Sequence, residues 1–121
     1  MKLRVYAYAG CDTCRKALKF LNEQGIAHEA VPIREQPPTV AELKTMLGYV
    51  GGELRRLFNT SGQDYKALDM KEQLPGMTEA EALKLLAGNG NLVKRPFVLG
   101  KGVGAVGFKV EEWRERFPVK K

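Results

Sequence analysis

The feature that most constrains this chain is Cys11-Asp12-Thr13-Cys14, set where one periodicity gives way to another. Before it, Leu3, Val5 and Ala7 alternate with Arg4, Tyr6 and Tyr8, the period-two pattern of a short strand. After the turn at Ala9-Gly10, Cys14, Ala17, Leu18 and Leu21 recur at helical spacing up to Gly25, a C-terminal cap. The cysteine pair therefore lies where a strand ends and a helix begins.

That spacing has several uses, and the remaining residues discriminate among them. A disulfide between cysteines two residues apart closes almost no loop, so chain stapling is not its purpose. A closed zinc site needs four ligands, and beyond this pair the chain offers no third cysteine and one histidine, His28. Attachment of c-type haem requires histidine after the second cysteine, where Arg15 stands. Redox chemistry remains. Two inert core thiols are the competing reading, although core cysteines seldom fall on a strand-to-helix loop. Unpaired amides and the dipole at a helix N-terminus favour a thiolate, so Cys11 is expected to have a lowered pKa and to act as nucleophile. Cys14, one turn further in, is expected to be buried and placed to resolve a mixed disulfide at Cys11.

With 121 residues, 44% hydrophobic and 28% charged, the chain reads as one globular domain over 1–121. No apolar run approaches the roughly 20 residues of a membrane span, and no signal-peptide core follows Met1, so a cytoplasmic address is expected. The net charge of +6 favours anionic partners. Its cations are scattered, only Lys120-Lys121 resembles a tail, and no reading motif accompanies them, so a nucleic-acid groove is not expected.

A second strand is expected over 27–33, at a sheet edge or stopped by Pro32. Capping boxes at Thr39/Glu42 and Thr78/Glu81 open two helices, the first halted at Gly48. Between them Leu54, Leu57 and Phe58 suggest a short helix, and Tyr65, Leu68 and Met70 are expected to pack inward. Phe97-Val98-Leu99 and Ala105-Val106 flank the glycine-rich turn 100–104 as a hairpin, and Val110, Trp113 and Phe117 mark a closing helix ended by Pro118. Met70 and Met77 are expected to fill core gaps, and His28 to be structural or exposed.

This order, βαβ then helices then ββα, predicts an α/β thioredoxin-like fold: a mixed four-stranded sheet with a helical insertion at about 39–88. A proline facing the cysteines before the third strand accompanies that fold, and a cis bond is expected at Arg95-Pro96. With Gly10-Cys11-Asp12-Thr13-Cys14-Arg15-Lys16-Ala17, Leu92-Val93-Lys94-Arg95-Pro96-Phe97-Val98 and Val106-Gly107-Phe108, the chain resembles the arsenate reductase-like branch of the thioredoxin superfamily. That branch includes glutaredoxin-coupled arsenate reductases and the transcriptional regulator Spx.

The resemblance implies a catalytic thiolate at Cys11 and an oxyanion-holding arginine at Arg95, with Arg95 and Pro96 as the expected contacts for a thiol ligand such as glutathione. It implies no metal and no bound cofactor; glutathione, glutaredoxin or thioredoxin would restore the dithiol, in a monomer. Two further arginines of the reductases are missing: the central loop reads Asn59-Thr60-Ser61, and Val106-Gly107-Phe108-Lys109 offers only a lysine. Each lost charged hydrogen bond costs about 1.5 to 3 kcal/mol, so arsenate reduction is expected to suffer. Arg55, Arg56 and Lys109 are the cations available as substitutes, and sequence does not position them. The expected activity is thiol-disulfide oxidoreduction on a small thiol or oxyanion substrate. The alternative is an Spx-like redox sensor that binds the RNA polymerase α subunit.

Overall fold

In the computed structural model, which describes residues 2–117, a four-stranded mixed sheet separates two apolar layers. The strands are β1 (Leu3–Ala7), β2 (His28–Pro32), β3 (Phe97–Gly100) and β4 (Val103–Val106), in the order β2-β1-β3-β4. β1 pairs parallel with β2, Val5 opposite Ala30, and antiparallel with β3, Val5 opposite Val98. β3 returns through a hairpin to β4, Val98 opposite Ala105. Gly102 turns that hairpin at φ +72°, a left-handed conformation that a residue without a β-carbon adopts freely. The thioredoxin-like expectation is met.

Alternation along β1 assigns its side chains to the two layers. Leu3, Val5 and Ala7 face α1 (Asp12–Glu23), joining Cys14, Ala17, Phe20 and Leu21. Tyr6 points the other way, into the layer built by the intervening helices, where it meets Phe97 edge-on with centroids 5.7 Å apart. β3 divides likewise, Phe97 on the Tyr6 side and Val98 on the α1 side. The central strands are thus covered on both faces, which fixes the end of β1 where the cysteines begin.

The Tyr6 layer contains α2 (Val40–Tyr49), α3 (Gln63–Ala67), α4 (Met70–Gln73) and α5 (Glu79–Ala87), and α6 (Val110–Arg116) closes the α1 layer through Trp113 and Phe117. Both expected capping boxes form: Thr39 Oγ1 accepts the Glu42 amide at 3.1 Å, and Thr78 Oγ1 accepts the Glu81 amide at 3.1 Å. Two local expectations are corrected. α2 runs past Gly48 to Tyr49 and turns at Gly51, φ +70°, because the apolar stripe continues to the buried Val50. Leu68 is exposed, for it follows the end of α3, while Tyr65 and Met70 take the inward positions. Met77 packs against the same layer, and His28 Nδ1 lies 2.8 Å from the Ile26 carbonyl, a structural placement. The expected stop at Pro118 and the Lys120-Lys121 tail lie outside the described residues. Among the described residues no helix is long and apolar enough to cross a membrane.

Glu42 links the α2 cap to the central strand. Its Oε1 accepts the Tyr6 hydroxyl at 2.7 Å and the Thr39 amide at 3.0 Å, and its Oε2 lies 3.3 Å from Arg4. Burial pushes this carboxyl up, but the Thr39 amide, the Tyr6 hydroxyl and Arg4 together outweigh it and hold the carboxyl below its usual range. A carboxylate whose folded pKa is depressed stabilises the fold above its unfolded pKa of about 4.3 and loses that contribution as pH falls through the folded value. Thermal unfolding should therefore separate wild type from Glu42→Gln most clearly near pH 7, the two converging as pH falls through the depressed folded value. A gap that stays constant with pH would contradict this role.

Candidate functional site

The turn after β1 is closed by the Cys11 amide donating to the Tyr8 carbonyl at 3.0 Å. Gly10 lies under the Tyr8 ring, where a β-carbon would come within 2.7 Å of it. This brings Cys11 to the N-cap of α1 in an extended conformation, φ −98° and ψ 115°. Its Sγ accepts the Cys14 amide at 3.3 Å, the bond that a serine or aspartate oxygen usually makes at this position. A sulfur held there faces the unpaired amides at the positive end of the helix.

Cys11 is half-buried and Cys14 is 1% exposed, so the expected difference in access holds. Burial among Leu3, Ala17, Leu21 and Val98 pushes the Cys14 thiol up to about 12, helped by its hydrogen bond to Cys11 and by the charge there. The Tyr8 backbone and the Arg95 guanidinium work in the opposite direction. The pair therefore consists of an accessible sulfur on backbone amide and a proton-retaining sulfur behind it.

Arg95 is close enough to influence Cys14, yet its donors point elsewhere. Nη2 donates to the carbonyls of Asn91 at 2.9 Å and Gly90 at 3.2 Å, and Nε to Val93 at 3.4 Å. The guanidinium is thus anchored to the turn Gly90–Leu92, and no hydrogen bond joins it to Cys11 among the described residues. The Arg95-Pro96 bond is cis, as the fold context predicts. Pro96 itself is buried and accepts the Gly107 amide at 2.9 Å, which ties this loop to the end of β4.

Tyr8 is a member of the site that sequence reasoning passed over. Its exposed ring lies beneath two guanidinium groups, Arg34 at 4.9 Å and Arg95 at 5.8 Å from the centroid, a cation–π arrangement. The available signal was an aromatic residue ending a strand just before the motif. Beyond Thr13 a cleft of about 500 Å³ opens, lined by Arg55, Arg56, Lys94, Arg95 and Lys109 together with Glu53 and Glu112. The three substitute cations suggested by sequence are thereby brought to one place.

Residues 6–116 match the ArsC family. The chain belongs to that family. The uncharacterized protein YusI of Bacillus subtilis is 44% identical over 117 residues, 97% of this chain and 99% of its own length. An arsenate reductase of Neisseria meningitidis is 31% identical, covering 91% of this chain and 93% of that one. A global transcriptional regulator Spx of Enterococcus faecalis is 28% identical over 96% of this chain and 86% of its own. Among solved structures, an ArsC-family-related protein from Bacteroides fragilis superimposes with a TM-score of 0.89 at 45% identity, covering 95% of this chain and 97% of that one. Such ArsC relatives place the chain in a family of thiol oxidoreductase-like proteins.

Proposed function

We propose that this protein is a cytoplasmic thiol-disulfide oxidoreductase, with Cys11 as nucleophile and Cys14 as resolving cysteine. The observation that carries the reading is the Cys11 sulfur at the N-cap of α1, on the Cys14 amide and in contact with the buried Cys14 thiol. The Cys11 thiolate attacks one sulfur of a substrate disulfide, forming a mixed disulfide and releasing one thiolate. The Cys14 sulfur, its proton leaving to solvent, then attacks Cys11, forming the Cys11–Cys14 disulfide and expelling the second thiolate. Two electrons pass from the protein dithiol to the substrate. Glutathione, or a glutaredoxin or thioredoxin, returns them.

Consuming the Cys11 thiolate in the first step removes two of the influences that keep Cys14 protonated, its hydrogen bond to Cys11 and the Cys11 charge. Resolution is therefore favoured only once a mixed disulfide exists. Arsenate is the weaker substrate, because Arg95 commits Nε and Nη2 to backbone carbonyls and Ser61 stands where the reductases carry a further arginine. The test compares disulfide exchange with arsenate turnover in the presence of glutathione and glutaredoxin, each against Cys11→Ser. Exchange that depends on Cys11, with little arsenate turnover, is the expected result. Arsenate reduction faster than exchange would overturn the substrate assignment, and Cys11-independent rates would overturn the mechanism.

The match to Spx over nearly the whole chain supports a second reading, a redox sensor that binds the RNA polymerase α subunit. Purified α subunit should then bind the dithiol and disulfide forms differently. Failure of both forms to bind would remove this reading.

A further inference from the structure

Tyr8 touches Cys11, Cys14, Arg34 and Arg95, yet the exchange chemistry above leaves its side chain without a role. Its carbonyl accepts the Cys11 amide at 3.0 Å, and its backbone favours the ionised form of the Cys14 sulfur. The ring folds back across Gly10, where a β-carbon would meet Cε2 at 2.7 Å, Cζ at 3.0 Å and the hydroxyl at 3.1 Å. An aromatic ring this exposed gains little from leaving water. Its partners are instead the guanidinium groups of Arg34 and Arg95, 4.9 and 5.8 Å from the centroid. Arg34 makes no hydrogen bond or ion pair among the described residues, so the ring is the group it engages.

Arg95 is held from two directions. The carbonyls of Gly90, Asn91 and Val93 belong to its own loop and fix the guanidinium to that loop. The Tyr8 ring joins it to the segment between β1 and α1, which carries the cysteines. The Arg95 charge acts on Cys14 in the direction that eases loss of the thiol proton, against the burial that retains it. We propose that Tyr8 is a positioning residue for the resolving step, its ring clamping the Arg95 guanidinium to the cysteine-bearing turn. The proposal rests on the oxidoreductase reading and names what aids the second half of that exchange. In that half the Cys14 thiol gives its proton to solvent and its sulfur bonds to Cys11, while the substrate sulfur leaves with the electron pair of the broken bond. A cation kept beside Cys14 lowers the cost of forming the thiolate at that moment. The Cys11 sulfur, by contrast, is placed by the Tyr8 carbonyl and the Cys14 amide, backbone groups that survive any substitution of the Tyr8 side chain.

Dipyridyl disulfide tests this on the intact dithiol protein, since it is neutral and releases one absorbing thiopyridone at attack and a second at resolution. Tyr8→Leu fills the space without a π face. It should slow the second release about two- to fivefold, the scale of one exposed cation–π contact, while the first release stays close to wild type. Tyr8→Phe keeps the ring and should restore the second release. In an Arg95→Gln background Tyr8→Leu should slow it no further, because the guanidinium that the ring positions is gone. Both releases slowed alike by Tyr8→Leu, a phenylalanine variant as slow as the leucine one, or an equal effect of Tyr8→Leu with and without Arg95 would each overturn the proposal. A wild-type first release that did not depend on Cys11 would instead overturn the oxidoreductase reading beneath it.

Discussion

Cys11→Ser is expected to lower disulfide exchange by roughly three orders of magnitude or more, the scale of loss when a nucleophile is removed. The loss is chemical, since a serine hydroxyl caps a helix at least as well as a thiol does and the Cys14 amide keeps its acceptor. Cys14→Ser should behave differently. Cys11 can still attack, but nothing within the protein resolves the adduct, so the mixed disulfide accumulates and the protein gains the mass of one substrate thiol. In wild type the same species is transient. Because burial alone still holds the Cys14 thiol above its ordinary range in the mixed disulfide, the resolving step should accelerate as pH rises, whereas the adduct in Cys14→Ser should persist. Intact mass spectrometry after an acid quench reads both outcomes. An adduct absent from Cys14→Ser, or exchange unimpaired in Cys11→Ser, would remove the mechanism.

Much of this site is readable in the chain because its determinants are local. The change from period two to helical spacing around Cys11 locates a helix terminus without tertiary information, and the N-cap bond from Cys14 to Cys11 spans three residues. The capping boxes at Thr39 and Thr78 are legible for the same reason, each closed by a side chain three positions away. Arg95 marks the limit. Its place beside Pro96 is visible in sequence, but its direction depends on carbonyls that the turn Gly90–Leu92 presents only once folded. The convergence of Arg55, Arg56 and Lys109 is likewise tertiary, for more than fifty residues of packing separate the two segments. Gly48 and Leu68 show the opposite failure. A glycine reads locally as a stop and a leucine as core, yet the buried Val50 draws α2 onward and the end of α3 leaves Leu68 in solvent.

Gly90→Ala is expected to destabilise the protein by about 3 kcal/mol or more, lowering the unfolding midpoint by roughly 10 °C. A β-carbon at position 90 would fall 1.9 Å from the Ile33 carbonyl oxygen and 2.9 Å from the Arg34 α-carbon, both backbone atoms with no rotamer to yield. Ile33 cannot readily retreat: its side chain is fully buried, and its amide donates to the Ala7 carbonyl at 3.0 Å, extending the β1–β2 pairing. The turn Gly90–Leu92 must move instead, and with it the Gly90 and Asn91 carbonyls that hold Arg95. Gly88→Ala provides the internal comparison. Its β-carbon would meet only carbonyl oxygens at 3.6 and 3.7 Å, at φ −93°, and should cost little. The Gly90 variant should also exchange disulfides at an altered rate at temperatures where it remains folded, since the released guanidinium no longer has its anchors opposite Tyr8. Calorimetry of the two variants decides the matter: equal unfolding midpoints would mean that the close approach of the turn to Ile33 does not hold Arg95 in place.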